Sequence, residues 1–253
     1  MTDKFSQIGC SQRLRLEWLA ETANLVLAGQ ERTAIQTALQ AMLRDLVSVG
    51  GASKRGNREK IITILMRVWV KANKPLAGLQ QQGLELLRNL PAVDHLSIHW
   101  GMICAVYPFW AAVATQVGRL LRLQGSVAVV QLQRRLREHY GERETVARAA
   151  RRVLQSYVAW GVITRSATQG IYHAAPKRLV DKPPLIAWLL EATLHARANG
   201  AAPLRDLLQS PSLFPFVIAP LPRHHILAAT STLEILQYGL DEELVMLKKR
   251  HSG

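Results

Sequence analysis

Residues 126–174 read SVAVVQLQRRLREHYGERETVARAARRVLQSYVAWGVITRSATQGIYHA. The spacing of apolar residues predicts one helix over residues 126–139 and a second over residues 142–160, with a tight turn at Gly141 between them. Two short β-rich runs in residues 162–174 flank a polar, glycine-containing link, which is typical of a β-hairpin. The stretch therefore predicts the order helix, turn, helix, hairpin.

The second of these helices is strongly amphipathic. At about 100° per residue, the side chains expected to face inward are Val146, Ala150, Val153, Tyr157 and Trp160. The opposite face carries Glu144, Arg148, Arg151, Arg152 and Gln155. Arginine can donate two hydrogen bonds to a guanine edge or a phosphate, and glutamine can pair with adenine, so this face suits a DNA groove. A solvated helix surface has the same composition, and acidic residues at the helix start would repel phosphate.

The positive charge of the chain is concentrated around this stretch. Residues 119–182 hold 13 Lys and Arg residues against 4 Asp and Glu residues, a net +9 of the chain's +14. Residues 1–118 carry a net +5, and residues 183–253 are neutral. A concentrated basic region of this kind is the electrostatic footprint expected of a nucleic-acid-binding surface.

The order of elements resembles the winged helix-turn-helix superfamily of DNA-binding proteins, in which the second helix enters the major groove and the hairpin contacts the backbone. The resemblance implies a set of candidate DNA-contacting residues: Arg134, Arg135, Arg143, Thr145, Arg148, Arg151, Arg152, Gln155, Arg165, Lys177 and Arg178. Winged domains that contact only proteins remain the alternative.

The bulk composition limits the class of protein. The chain has 253 residues, of which 49% are apolar and 20% are charged, so it is expected to be globular. Its pI of about 10.5 favours a polyanionic partner: DNA, RNA or an anionic lipid surface. Only two cysteines, Cys10 and Cys104, are present, and they are far apart, which disfavours a zinc site or a disulfide framework and fits a reducing cytoplasm.

An uncharged run of 19 residues, 100–118, precedes the basic region. Its length is close to that needed to cross a bilayer, but Pro108 and two glycines disfavour a membrane span. We expect one long buried helix that forms the base of the basic domain, with a membrane segment as the lesser alternative.

The N-terminal part contains several amphipathic helical patterns and one basic loop, residues 48–60. The loop lacks the glycine and lysine spacing of a P-loop, so a flexible connection is expected. A secondary phosphate contact is the alternative, through Lys54, Arg55, Arg58 and Lys60. His95 and His99 could share a helix face at metal-ligand spacing, but without a third ligand nearby we interpret them as hydrogen-bonded histidines at a helix interface.

The C-terminal part begins with a basic, proline-rich linker, residues 176–184. Helices are expected over residues 185–198 and 203–208, a strand or extended arm over residues 213–220, and further helices over residues 230–238 and 241–250. The composition of this part favours a packing or protein-contact surface over a second DNA reader.

The layout of the chain is similar to that of the BrxA family of accessory proteins of bacterial BREX phage-defence systems. The similar segments are SKRGNREKIITILMR (53–67), WGMICAVYPFWAAVATQVGRLL (100–121) and RRVLQSYVAWGVI (151–163). The resemblance covers residues 13–176 and is one of pattern. It implies a non-enzymatic component that binds double-stranded DNA and works beside larger enzymes.

The sequence thus predicts a mainly α fold in three parts: an N-terminal helical bundle (1–98), a winged helix-turn-helix with a short β-hairpin and basic linker (99–182), and a helical C-terminal extension (183–253). The expected function is non-enzymatic binding of double-stranded DNA, without metal or other cofactor. The alternatives are a scaffold that binds protein subunits through its C-terminal region, or a transcriptional regulator. No catalytic motif is recognised, so an enzyme is the least favoured class.

Overall fold

The computed structural model describes residues 7–47, 56–238 and 242–248, and it is mainly helical with small β-sheets. The helices are α1 (Leu16–Leu27), α2 (Arg32–Met42), α3 (Asn57–Trp69), α4 (Ala77–Asn89), α5 (Ala92–Val106), α6 (Pro108–Gln124), α7 (Val129–Tyr140), α8 (Glu144–Ala159), α9 (Pro183–His195), α10 (Leu204–Leu208) and α11 (Arg223–Ala229). The strands are β1 (Ser126–Ala128), β2 (Ile163–Arg165), β3 (Ile171–Ala174), β4 (Arg178–Val180), β5 (Ala201–Pro203), β6 (Phe216–Ile218), β7 (Leu233–Tyr238) and β8 (Glu242–Leu247).

Helix α5 is the buried centre of the N-terminal half. It is apolar around most of its circumference, and α1, α3, α4, α6 and α9 all pack against it. Gly101 lets α9 approach closely, since a Cβ atom at this position would lie 2.5 Å from the ring of Trp188. The indole nitrogen of Trp188 donates a hydrogen bond to the carbonyl of Leu79 at 2.9 Å, which also ties α9 to α4. The C-terminal part of the chain thus completes the N-terminal bundle.

The uncharged run does not form one long helix, so that prediction is wrong. α5 and α6 are separated at Tyr107 and bend by 118°. Pro108 disfavours helical backbone at the residue before it, and Tyr107 accordingly has φ −124° and ψ 88°. Within the described residues no single helix is long and apolar enough to cross a membrane, and α5 and α6 meet that test of length and composition only as a bent pair. Most side chains of both helices are buried inside the protein.

The basic region contains the two predicted helices and the predicted hairpin, together with a strand that was not predicted. Residues 126–128 form β1 instead of the first turn of a helix, so α7 begins at Val129. Strand β1 pairs with β3 in antiparallel orientation, β2 pairs with the other edge of β3, and the order across the sheet is β1-β3-β2. The chain therefore runs α6, β1, α7, α8, β2, β3.

The predicted linker is structured. Residues 178–180 form β4. A strand or extended arm was expected over residues 213–220, and β6 is that strand. It pairs in parallel with β4 and not with the hairpin. Lys182 ends this segment with its Nζ 3.0 Å from a carboxylate oxygen of the buried Asp94 at the start of α5. The hydrogen bond to Asp94 is the main cause of a raised pKa of Lys182. Lys182 therefore anchors the chain as it enters α9.

The C-terminal extension is only partly helical, so its prediction needs correction. Residues 233–238 and 242–247 form the antiparallel strands β7 and β8, where helices were expected, and β5 pairs with the other edge of β8. Leu233 and Ile235 are buried while Glu234 is exposed, and this alternation has the period of a strand. Residue 241, the predicted start of the last helix, lies outside the described residues.

Trp100 of α5 joins the parts of the fold. Its ring lies 4.8 Å from that of Tyr157 on α8 and 5.5 Å from that of Phe214, measured between centroids. Its indole nitrogen donates a hydrogen bond to the carbonyl of Ser212 at 3.0 Å. Buried side chains from all three predicted parts belong to one continuous hydrophobic cluster. Because this cluster does not show where one part ends and the next begins, the domain boundaries at residues 98 and 182 remain predictions.

Candidate nucleic-acid interface

The outer face of α8 carries the main group of candidate residues. Thr145, Arg148 and Arg151 are exposed, and Arg152 and Gln155 are half-buried at its margin. The residues predicted to face inward are all buried: Val146, Ala150, Val153, Tyr157 and Trp160. Helical periodicity therefore predicted the two faces of α8 correctly.

The start of α8 follows a tight turn. Gly141 has φ +86°, a region that side chains other than glycine rarely adopt, and this lets the chain reverse after α7. Arg143 precedes the first residue of α8, and its Nη2 atom donates a hydrogen bond to the carbonyl of Tyr140 at 3.0 Å. One candidate residue thus stabilises the turn while remaining exposed.

The acidic residues near the start of α8 lie close to arginines. An Nη atom of Arg148 is 3.9 Å from a carboxylate oxygen of Glu144, and one of Arg137 is 4.0 Å from Glu142. Both carboxylates are 86% exposed, and such ion pairs contribute roughly 0–1 kcal/mol because water screens them. A phosphate could therefore replace either carboxylate as the partner of its arginine at little cost.

The other candidate residues occupy neighbouring elements. Arg134 is exposed on α7 and Arg135 is half-buried there, while Arg165 is exposed at the end of β2, opposite Tyr172 on β3. Lys177 and Arg178 are exposed at the start of β4. The residues of α7, β2 and β4 therefore lie outside the outer face of α8, and their part in DNA binding stays a prediction.

The secondary phosphate site has only two members among the described residues, since Lys54 and Arg55 lie outside them. The Nη2 atom of Arg58 donates hydrogen bonds to the carbonyls of Arg44 and Val47, after the end of α2. Lys60 is exposed on α3. Because the Arg58 guanidinium already satisfies two carbonyls, a phosphate there would compete with them.

The inner face of α8 is fixed by the N-terminal segment of the chain. The hydroxyl of Ser156 accepts a hydrogen bond from the backbone N–H of Leu14 at 2.9 Å, and the indole nitrogen of Trp160 donates one to the carbonyl of Leu14 at 3.1 Å. The hydroxyl of Tyr157 donates to the carbonyl of Trp110 on α6 at 3.0 Å. We call the two bonds to Leu14 the Leu14 clamp. It holds α8 in place and leaves its basic face free.

A basic cleft lies beside this interface and was not predicted from the sequence. It lies between α6, the end of α7, the end of α9 and residues 209–212, and its volume is about 840 Å³. Arg119, Arg122 and Arg197 line it, together with Asp206. The first two arginines are three residues apart and share a helix face, so their proximity could have been predicted from the sequence. Arg197 could not be assigned, because nothing local indicates that the end of α9 packs beside α6.

The two histidines of α5 form hydrogen bonds, as predicted from the sequence. Nδ1 of His99 accepts a bond from the indole nitrogen of Trp69 at 3.1 Å, and Nε2 of His95 lies 2.9 Å from the carbonyl of Leu90. Burial, together with the charge of His95, lowers the pKa of His99 to about 3. These histidines therefore serve helix packing.

Comparisons with known proteins found no match to this chain. No family model matches the chain, and neither does any curated protein or solved structure. The interpretation of the interface therefore depends on its residues, its geometry and its charge.

Proposed function

We propose that this chain is a non-enzymatic double-stranded DNA-binding protein, with α7, α8 and the β2–β3 hairpin acting as a winged helix-turn-helix. The order α6, β1, α7, α8, β2, β3 supports the proposal, as does the sheet order β1-β3-β2, in which the hairpin is joined by a strand preceding the helix pair. In such a domain the second helix of the pair enters the major groove. That helix is α8.

The observation that carries the proposal is the composition of the outer face of α8. An α-helix fits the major groove of B-DNA, where arginine can pair with guanine and glutamine with adenine. Arg148, Arg151, Arg152 and Gln155 lie on that face, and hydrogen bonds on the opposite face hold the helix rigidly. A rigid helix loses little conformational entropy on binding.

The hairpin and the basic residues around it would hold the DNA backbone. Arg165 is exposed where β2 ends and the polar link begins, the position from which a wing contacts phosphate. Arg134 on α7 and Lys177 with Arg178 before and within β4 add positive charge. Phosphate contacts of this kind give affinity without sequence preference.

The test is the binding of a labelled 30-base-pair duplex, followed by fluorescence anisotropy at several salt concentrations. The double variant Arg148→Ala/Arg152→Ala should bind more weakly. For every DNA phosphate that the variant no longer neutralises, the slope of log K against log salt should become shallower by about 0.9. The matched control is Arg44→Ala/Arg88→Ala, which removes the same charge from two exposed arginines of the N-terminal half, one in the turn after α2 and one on α4.

Equal affinity and equal salt slope for the two double variants would refute the assignment of α8. Circular dichroism and thermal unfolding of each variant separate a loss of binding from a loss of folding. Absence of duplex binding by the unaltered chain at low salt would refute the proposed function as a whole.

The resemblance to the BrxA family extends the proposal to an accessory role in phage defence. This extension depends on sequence pattern alone, and one of its segments, residues 100–121, contains the break between α5 and α6.

A scaffold function is the second candidate. An exposed apolar pair favours it: Leu179 and Val217 lie opposite each other on the parallel strands β4 and β6, 59% and 49% exposed. Exposed apolar side chains that adjoin one another are typical of protein-contact surfaces. Co-purification of a partner that survives both DNase and high salt, and that is abolished in Leu179→Asp, would support this function.

A further inference from the structure

The basic cleft between α6, α9 and residues 209–212 is distinct from the outer face of α8. Its lining includes residues from α6, from the last turn of α7, from the end of α9 and from the segment that follows α10. Arg119 and Arg122 project from α6, and Arg197 follows the end of α9. Three arginines from two distant stretches of the chain therefore meet at one concave site.

The charges of the cleft are only partly balanced within the protein. Among the described residues, Arg119 forms no hydrogen bond or ion pair. The Nη2 atom of Arg122 donates a hydrogen bond to the carbonyl of Gln209 at 2.9 Å, which leaves most of its donors free. Within the described part of the chain, Asp206 is the one carboxylate of the lining. The cleft therefore has a net positive charge and several unused N–H donors.

Arg197 is partly withdrawn from water. Burial lowers the pKa of its guanidinium, and the nearby charge of Asp206 opposes that shift. A guanidinium that has lost hydration binds an anion more strongly, because fewer water molecules must be displaced. An anion bound in the cleft would therefore pair strongly with Arg197.

The inner wall of the cleft is formed by buried polar side chains. Ser210 and Ser212 are 6% and 7% exposed, and their hydroxyl oxygens are 2.9 Å apart. Thr193 and Tyr140 also line the cleft and are similarly buried. Hydroxyl groups and arginines therefore line the same cleft. The volume of about 840 Å³ lies in the range of small-molecule sites, which is roughly 300–1,000 Å³.

We propose that this cleft binds a small phosphorylated molecule, with its phosphate held by Arg119 and Arg197 and its remainder against the small side chains of α6. Pro108, Ala111 and Ala112 supply that apolar part of the lining. Arginine is the side chain best suited to a phosphate, since its planar donors pair with two oxygens at once. The site is separate from the DNA-binding function proposed above and does not depend on it.

The test uses the full chain and inorganic pyrophosphate, with binding measured by isothermal titration calorimetry. Pyrophosphate carries the phosphate chemistry without an organic part. We expect binding to the unaltered chain and at least a tenfold loss of affinity in Arg119→Gln, because the variant loses charge-assisted hydrogen bonds to the phosphate. Arg119 is exposed, so its replacement should leave the fold intact. The matched control is Arg88→Gln, an exposed arginine on α4, which should bind like the unaltered chain.

Two further measurements distinguish a small molecule from the DNA backbone as the source of the phosphate. Arg119→Gln should keep its affinity for the 30-base-pair duplex, and Arg148→Ala/Arg152→Ala should keep its affinity for pyrophosphate. Equal losses of duplex and pyrophosphate binding in Arg119→Gln would overturn the proposal, since the cleft would then hold the DNA backbone. It would also be overturned by absence of pyrophosphate binding at millimolar concentration, or by equal effects of Arg119→Gln and Arg88→Gln. None of these results bears on whether α8 binds DNA.

Discussion

Replacement of Ser156 by alanine should lower the free energy of unfolding by about 2 kcal/mol. The hydroxyl of Ser156 accepts the hydrogen bond from the N–H of Leu14, a residue with no exposed surface. Without it, a buried donor remains unsatisfied, which costs roughly 1–3 kcal/mol. The second bond of the hydroxyl, to the carbonyl of Arg152 at 3.0 Å, adds little because it lies within the helix. For a chain of this length, the melting temperature should fall by about 4–8 °C.

Urea denaturation measures this change, and two further variants test its cause. Ser166→Ala is the matched control, since its hydroxyl accepts a hydrogen bond from the exposed N–H of Thr168, and its effect should stay within about 0.5 kcal/mol. Trp160→Phe removes the other bond to Leu14. The double variant Ser156→Ala/Trp160→Phe should lose less stability than the sum of the single variants, because both side chains hold one residue. Strict additivity, or a decrease in stability below about 0.5 kcal/mol in Ser156→Ala, would refute the Leu14 clamp.

Two other predictions follow from buried groups. His99 has a pKa of about 3 in the folded protein and about 6.5 when unfolded, so its contribution to stability is complete above pH 6.5 and is lost as the pH falls towards 3. Urea denaturation at pH 7 and pH 5 should show the unaltered chain losing about 2 kcal/mol more than His99→Gln, and equal losses would contradict the prediction. Burial raises the pKa of both Cys10, to about 12, and Cys104, so neither thiol should react with a disulfide reagent until the chain unfolds. A colorimetric thiol assay checks this, with guanidinium-denatured protein as the control, and reaction of either thiol in the native chain would contradict it.

The helices of the basic region could be predicted because their signals are local. The apolar residues of α8 recur at helical spacing, and its predicted range, residues 142–160, extends only slightly beyond the observed helix. The hairpin was predicted from two β-rich runs and Gly170, which has φ +79° in the link between its strands. Residues 126–128, in contrast, have no local mark of a strand. They become β1 because β3, much later in the chain, supplies the hydrogen-bonding partner.

The C-terminal strands were missed because two signals conflicted. Acidic residues at the start of residues 241–250 and basic residues at their end are typical of a helix that complements its dipole. The alternation of Leu233, Glu234 and Ile235 indicated a strand, but six residues give too short a pattern to decide. Pairing of β8 with β5 then settles the conformation, and β5 precedes β8 by about 40 residues.

Only the exposed residues of the candidate site could be predicted from the sequence. The exposed face of α8 follows from periodicity, whereas the Leu14 clamp and the basic cleft each need residues that are far apart in sequence. Leu14 and Ser156 are separated by 142 residues, and Arg122 and Gln209 by 87. Such interactions depend on the packing of the whole chain and leave no local pattern.

The close fit of α9 against α5 has a consequence for synthesis of the protein. A ribosome makes α1 to α5 first, and the apolar surface of α5 that Trp188 will cover has no partner until α9 has left the exit tunnel. The N-terminal helices therefore cannot finish packing as an independent unit while the chain is growing. Until then the basic helix α8, already synthesised, belongs to an incompletely folded nascent chain.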